Sequence, residues 1–251
     1  MARPSESRNE HLYGINPVSE ALNGRRRLYR LLVRDDRRDD RRIVDLVSSA
    51  RDAGIPVDFV DRARLQDLTG GGNHQGVVLE AGPFPYVDLD TLIKDALGRP
   101  FLVLDHVQDP QNLATLIRTS AAVNVAGIVI QADRSAVVTP AVVRSSSGLV
   151  EQSGIARVTN TRRAIEELKR AGYWAAGLQS GETSTDIFSA DIPDPTVLVV
   201  GAEARGISES ALRSCDLLVQ IPMPGRADSL NAAIAGSVAL YELLRRRERY
   251  S

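Results

Sequence analysis

Short, unbroken apolar runs recur through the second part of this sequence, and each ends on a polar loop. Phe101-Leu102-Val103-Leu104 and Thr196-Val197-Leu198-Val199-Val200 are the clearest. A strand that is apolar on both faces must be covered on both faces, as in a parallel sheet sandwiched by helices. Strands are expected at 101–104, 127–131, 155–158, 173–178, 196–200 and 217–221, with helical stretches between them and a long helix over 229–247. Alternating β and α segments imply a doubly wound α/β fold. Ligands in such folds bind beyond the carboxyl ends of the strands, so the loops that follow these runs are where chemistry is expected.

The first block, residues 1–82, reads as a smaller α/β unit. Asn16-Pro17 has the character of a helix start and Asn23-Gly24 of its end. Strands are expected at 28–33, 56–60 and 77–79, and helices over 38–53 and 62–68. Residues 83–100, rich in Pro and Gly at both ends, read as a linker carrying one short helix. The remainder, 101–251, is the second domain.

Composition bounds the class. Apolar residues make up 43% of the 251 and charged residues 25%, an ordinary globular balance. No apolar run approaches a membrane span, and the N-terminus carries no signal-like stretch, which predicts a cytoplasmic protein. Cys215 is the single cysteine, so an internal disulfide or a cysteine-rich metal site is excluded; His11, His74 and His106 are scattered, and no metal is expected. The net charge of −1 does not suggest a nucleic-acid partner, yet residues 1–34 hold seven Arg against three Glu. Such a cluster steers polyanions or is simply a solvated face.

Three loops after strands stand out. Asp105-His106-Val107-Gln108-Asp109-Pro110-Gln111-Asn112 leads into a helix that carries Arg118. Gly201-Ala202-Glu203-Ala204-Arg205-Gly206 follows the run at 196–200. Ile221-Pro222-Met223-Pro224-Gly225-Arg226-Ala227-Asp228-Ser229-Leu230-Asn231 joins a strand to the last helix, with Asp228 or Ser229 as candidate caps. Taken singly, each is compatible with an ordinary turn. Together they fall at one edge of one sheet, and each mixes polar side chains with Gly or Pro. Neither G-x-G-x-x-G nor a Gly-Lys-Ser/Thr phosphate loop occurs, which disfavours an unrelated nucleotide-binding protein.

At these residues the sequence resembles the SpoU (TrmH-type) family of RNA 2′-O-ribose methyltransferases. The family's Asp-Pro-x-Asn segment with an Arg six residues on stands as Asp109-Pro110-Gln111-Asn112 and Arg118. Its Gly-x-Glu-x-x-Gly stands as Gly201 to Gly206, and its Ile-Pro-Met and Ser-Leu-Asn as Ile221-Pro222-Met223 and Ser229-Leu230-Asn231. His11-Leu12-Tyr13-Gly14-Ile15-Asn16-Pro17-Val18 and Asn73-His74-Gln75-Gly76-Val77 look like the start and close of the family's N-terminal substrate-binding domain. Ala114, where glycine is usual, and Asn231-Ala232-Ala233, where larger or hydroxylated residues are common, depart from the pattern.

The resemblance implies a trefoil-knotted (SPOUT-type) parallel-sheet catalytic domain, preceded by a small α/β RNA-binding domain, in a homodimer without membrane attachment. It implies S-adenosylmethionine as methyl donor, held mainly by backbone groups of Gly177, Leu178, Gly201, Gly206, Ile221, Met223 and Leu230. Catalytic candidates are Asn112, Arg118, Glu203, Ser229 and Asn231. The family proposal gives Arg118 the ribose proton, with Asn112 positioning it. A guanidinium with a pKa above about 12 is a poor base, so binding the adjacent phosphate is the alternative role. Arg8, Arg25, Arg26, Arg27 and His74 are candidates for RNA contact. The N-terminal domain favours a guanosine of 23S ribosomal RNA as substrate. A tRNA ribose or a non-catalytic assembly role on the same fold are the alternatives.

Overall fold

The computed structural model describes residues 9–203, 205–227 and 229–250, with side chains as far as 247. In chain order its elements are β1 (Glu10–Tyr13), α1 (Ile15–Leu22), β2 (Leu28–Arg34), α2 (Arg41–Asp52), β3 (Val57–Val60), α3 (Arg62–Thr69) and β4 (Val77–Ala81). There follow α4 (Leu89–Lys94), β5 (Phe101–Asp105), α5 (Pro110–Ala122), β6 (Gly127–Gln131), α6 (Pro140–Ser145), β7 (Ile155–Val158), α7 (Thr161–Arg170) and β8 (Trp174–Leu178). The chain continues through β9 (Thr185–Asp186), β10 (Thr196–Gly201), α8 (Glu209–Leu212), β11 (Leu217–Gln220) and α9 (Ala232–Tyr250). It divides into two compact units. One comprises Met1–Pro85 with Val138–Gln152, the other Tyr86–Val137 with Ser153–Ser251.

The first unit is built on a four-stranded sheet of order β1-β4-β2-β3, in which β2 and β3 run parallel and the other pairs antiparallel. Edge strand β1 is not legible as a strand in the sequence, because only Leu12 of its four residues is buried. Nor does anything in the sequence mark residues 138–152 as part of this unit. Their anchor is ionic. Arg26 is 4% exposed; its Nε and Nη2 donate to the two carboxylate oxygens of Glu151 at 3.0 and 2.8 Å, and Nη1 donates to the Gly82 carbonyl at 2.9 Å and to Glu10. Burial pushes the Glu151 carboxyl above its ordinary range, against the pull of Arg26.

The second unit carries a seven-stranded sheet of order β7-β6-β5-β10-β8-β11-β9, parallel at every pairing. Every residue of β5 and β10 is buried, as expected of strands covered on both faces. On one face Phe101, Val103, Val197 and Val199 pack with Ile165, Leu168 and Tyr173; Leu89 and Leu92 of α4 join the same core. Helix α9 packs on α5 and β10. Gly236 makes this close approach possible: a Cβ there would lie 2.6 Å from Leu116 Cδ2. Helix α9 begins at Ala232 rather than 229, because Asn231 Oδ1 accepts from the Ala233 and Ile234 amides at 2.9 and 3.1 Å and so caps it. Asn231 thus takes the place expected of Ser229, and Asp228, the alternative cap, lies outside the described residues.

Candidate active site

A cavity of about 370 Å³ lies beyond the carboxyl ends of β8, β10 and β11. Its lining includes Leu178, Gly201, Gly206, Ile221, Met223 and Leu230, together with Gln179, Glu203, Arg205, Gln220 and Ser229. The loop after β10 folds tightly on itself, with Ala202 and Gly206 exchanging backbone hydrogen bonds at 3.1 and 2.8 Å. Gly201 is obligatory there: a Cβ would sit 2.1 Å from the Gly206 carbonyl carbon. Gly206 has φ +65°, and a Cβ on it would meet Gln179 Oε1 at 2.4 Å. Gln179 Oε1 in turn accepts from the Ile207 amide at 3.2 Å, tying the β8 and β10 loops together. The wall is therefore mixed, with apolar side chains and exposed backbone beside the polar Gln179, Ser180, Glu203 and Gln220, which suits a flat heterocycle carrying polar groups.

A second, larger chamber of about 820 Å³ shares Ala202, Glu203, Arg205, Gly206 and Ala232 with the first. Its other walls include His106, Asp109, Asn112, Arg134 and Ser208. Where the chambers adjoin, the three loops singled out in the sequence are bonded into one node. Asn112, 6% exposed, donates from Nδ2 to Glu203 Oε1 at 3.1 Å and accepts at Oδ1 from Asn231 Nδ2 at 2.9 Å. Asn231 Nδ2 also donates to Glu203 Oε1. Asp109 caps α5 by accepting from the Gln111 amide at 2.9 Å, which fixes the turn that presents Asn112. Asn231 thus serves twice, capping α9 with its oxygen and closing the node with its nitrogen.

Behind the larger chamber lies a group that sequence reasoning does not single out. Asp105, the last residue of β5, is fully buried. It accepts from Thr161 Oγ1 at 2.6 Å, from the Ser208 amide at 2.7 Å and from His106 Nδ1 at 3.1 Å. An ionised carboxylate only accepts, so this contact is made through a proton on His106 Nδ1. His106 itself stands at φ +58°, a conformation that β5 and its partners must impose. Its position at the carboxyl end of a central strand was the available signal. Arg134 and Arg205 supply cationic wall to the same chamber, and in the sequence both look like ordinary loop arginines.

Other expected residues fall elsewhere. Arg118 is exposed on α5 and lines neither chamber. Gly177 lies inside β8, where a Cβ would meet Leu218 Cδ2 at 2.9 Å and Cys215 Sγ at 3.0 Å; it is a packing glycine and not part of the cavity wall. Arg26 is buried and bonded to Glu151, Glu10 and Gly82, which corrects the surface role expected of it. Arg25 and Arg27 are exposed, with the Arg27 guanidinium over the Tyr29 ring at 5.3 Å. Arg8 lies outside the described residues. His74 is buried, and its Nδ1 accepts from the Gly76 amide at 3.1 Å, so it holds a turn instead of facing RNA. Burial together with the charges of Arg34 and Arg62 depresses its proton affinity. Among the described residues no group of three or more His, Cys, Asp or Glu could hold a metal, and no helix is long and apolar enough to cross a membrane.

Comparison with known proteins identifies the family. The model of the SpoU rRNA methylase family covers residues 99–241, and that of RNA 2′-O ribose methyltransferase substrate binding covers 11–87. An uncharacterized tRNA/rRNA methyltransferase of Synechocystis, slr0955, is 37% identical over 240 residues, 94% of this chain; the chain spans 62% of that relative's length. The 23S rRNA (guanosine-2′-O-)-methyltransferase RlmB of Photobacterium profundum is 33% identical over 244 residues, 96% of this chain and 99% of the relative. The crystal structure of the SpoU methyltransferase AviRb from Streptomyces viridochromogenes, in complex with AdoMet, superposes with a TM-score of 0.79 at 27% identity, covering 96% of this chain and 91% of that one. With its three loops joined in one node and both family models matched in order, the chain belongs to the SpoU family of RNA methyltransferases.

Proposed function

We propose that this protein transfers a methyl group from S-adenosylmethionine to a ribose 2′-hydroxyl of RNA, a guanosine of 23S ribosomal RNA in the first instance. The observation that carries this is the Asn112–Glu203–Asn231 node at the junction of the two chambers. The smaller chamber fits the donor: Gly201 and Gly206 keep its wall at backbone level, and Leu178, Ile221, Met223 and Leu230 supply apolar contact. The larger one fits the acceptor nucleotide, with Arg134 and Arg205 available to its phosphates. The donor brings an activated methyl on a sulfonium; what remains for the protein is to hold the acceptor oxygen in line with it. The node sets the spacing between the chambers.

The same reading includes a homodimer. Ile234 and Tyr241 are exposed on α9, 52% and 54%, and lie seven residues apart, on one face. Ser237 on that face hydrogen-bonds Thr119 of α5, the neighbour of Arg118. A second copy packed along α5 and α9 would cover the apolar pair and carry Arg118 toward the partner's chambers, where it orients the ribose through its phosphate or takes part in proton removal. A trefoil-knotted C-terminal segment belongs to the same family reading, supported by β10 lying between β5 and β8 while α9 packs on α5 and β10. Ribosomal RNA as substrate places the protein in the cytoplasm. The RlmB relative supports ribosomal RNA as the substrate to test first.

The test is methyl transfer from labelled S-adenosylmethionine to 23S ribosomal RNA and to tRNA transcripts, followed by mapping of the modified ribose. Incorporation at one guanosine 2′-hydroxyl of 23S RNA is expected. Incorporation only into tRNA overturns the substrate, and no calorimetric binding of S-adenosylmethionine overturns the donor.

A further inference from the structure

Two motifs of the N-terminal block, around Tyr13–Pro17 and Asn73–Gln75, have no part in the chemistry described so far. In the first unit they meet. They line a cavity of about 280 Å³ together with Arg42 of α2 and with Arg144 and Ser147 from the 138–152 segment. We propose that this pocket binds a single unpaired nucleotide of the RNA substrate, with its phosphate between Arg42 and Arg144. The proposal rests on the RNA methyltransferase reading above and deepens it.

The charge state of the pocket argues for an anion. Its wall contains two arginines and no carboxylate. Other arginines of this unit are neutralised, as Arg26 is by Glu151, Arg30 by Asp58, Arg34 by Asp36 and Arg37 by Asp40. Arg42 and Arg144 are held differently. Arg42 Nη2 donates to the Asn16 amide oxygen at 3.0 Å, and Arg144 Nη1 donates to the Tyr13 hydroxyl at 3.0 Å with its guanidinium over the Tyr13 ring at 5.5 Å. Neutral acceptors orient the two cations without cancelling their charge, which leaves the remaining N–H groups for a phosphate.

The backbone argues that the pocket is built and not incidental. Gly14 at φ +96°, Gln75 at +53° and Ser147 at +58° all line it, and two of these are not glycine. Such conformations persist only where the surroundings impose them. Gln75 Oε1 accepts from the Ile15 amide at 3.0 Å, which ties the two motifs together. Gly72 leaves room for the Tyr13 ring, since a Cβ there would lie 2.6 Å from the hydroxyl. Asn16, Asn73 and Gln75 add amide groups, the chemistry that reads the edge of an exposed base. A cavity of this size does not admit a duplex, so the nucleotide it takes must be unpaired.

The experiment measures binding of the full-length protein to a fluorescent single-stranded RNA, to the matching duplex and to competing inorganic phosphate or guanosine monophosphate, over a series of salt concentrations. Arg42→Gln and Arg144→Gln are each expected to weaken single-strand binding about tenfold and to reduce the dependence of log Kd on log salt by about one. Asn73→Ala is expected to narrow the preference for single strand over duplex while leaving that salt slope unchanged. Each variant should keep the wild type's Tm and circular dichroism spectrum, which shows that it is folded. Wild-type RNA affinity and slope in both arginine variants overturn the pocket. Equal binding of duplex and single strand by the wild type overturns the unpaired nucleotide, and loss of phosphate binding in the arginine variants with no change in their RNA affinity assigns the site to a free anion and overturns RNA. If the wild type binds no RNA at all, the methyltransferase reading itself fails, a result distinct from these.

Discussion

Asn112→Asp is the sharpest perturbation of the proposed site, because it changes one atom type and no volume. In the native node the Asn112 amide nitrogen donates to Glu203 Oε1 at 3.1 Å. The substitution puts a second carboxylate oxygen there. It removes a hydrogen bond to a charged group, about 1.5–3 kcal/mol, and opposes two charges across a short gap. At 3.1 Å that repulsion runs from about 1 kcal/mol in bulk water to about 5 kcal/mol at a protein surface. Glu203 is exposed, so the screened end applies. A combined penalty of about 3 kcal/mol corresponds to a loss of more than a hundredfold in kcat/KM if the node positions the reacting groups. Adding Glu203→Gln restores a donor–acceptor pair in the reverse sense. Steady-state methyl transfer by wild type, both single variants and the double variant gives the cycle, with calorimetric S-adenosylmethionine affinity and Tm measured on the same preparations. Recovery of at least tenfold in the double variant over Asn112→Asp is expected. Full activity in Asn112→Asp, or a double variant no better than the worse single, refutes the role given to the node.

Gly201→Ala should weaken S-adenosylmethionine binding by more than a hundredfold in calorimetry, because its Cβ would fall 2.1 Å from backbone that cannot withdraw. Arg118→Ala should abolish methyl transfer while S-adenosylmethionine binding stays within about threefold, since Arg118 lines neither chamber; mixing it with inactive Asn112→Asp subunits should restore part of the activity if Arg118 acts across a dimer, and no restoration would place it in its own site. His74 gives a pH signature. Its folded-state pKa lies below the ordinary 6.5, so its contribution to stability is present above that value and lost as pH falls through the folded one. His74→Asn keeps a short acceptor for the Gly76 amide, and the fall in Tm between about pH 7 and pH 5 should be smaller than in the wild type; an identical fall would remove His74 as the cause.

The parallel sheet was legible because the signal for it is local: an apolar run such as Thr196–Val200 admits few burials other than the one found. The loops were legible as a set for a topological reason, since strands that run parallel bring their carboxyl ends to one edge. What could not be read was pairing across long separations. Nothing near Arg26 announces that its partner is Glu151, 125 residues on, and an arginine in a basic run looks the same whether solvated or buried. His74 and Gly177 misled in the same way. A histidine in a polar turn and a glycine near a strand end look functional, whereas one accepts a local amide and the other makes room for Leu218 and Cys215. Asp105 does not stand out in the sequence because two of its three donors, Thr161 and Ser208, lie 56 and 103 residues away.

The Arg26–Glu151 pair also bears on how recognition is joined to chemistry. Residues 138–152 lie inside the span matched by the methylase model, yet they fold with the N-terminal block. Glu151 is buried, so removal of Arg26 would leave a carboxylate without its compensating charge, at a cost of about 3–5 kcal/mol. Gly148, at φ +88°, is tied to the same block: a Cβ there would sit 2.8 Å from Glu20 Cβ and 2.9 Å from Pro17 Cα. A methylase sequence that lacked the N-terminal block would have no such partner for Glu151 and no such neighbour for Gly148. The N-terminal block is therefore not an appendage on a self-sufficient catalytic sequence. Part of the methylase sequence is written to complete it, and that part supplies Arg144 to the pocket where the structure offers a place for an unpaired nucleotide.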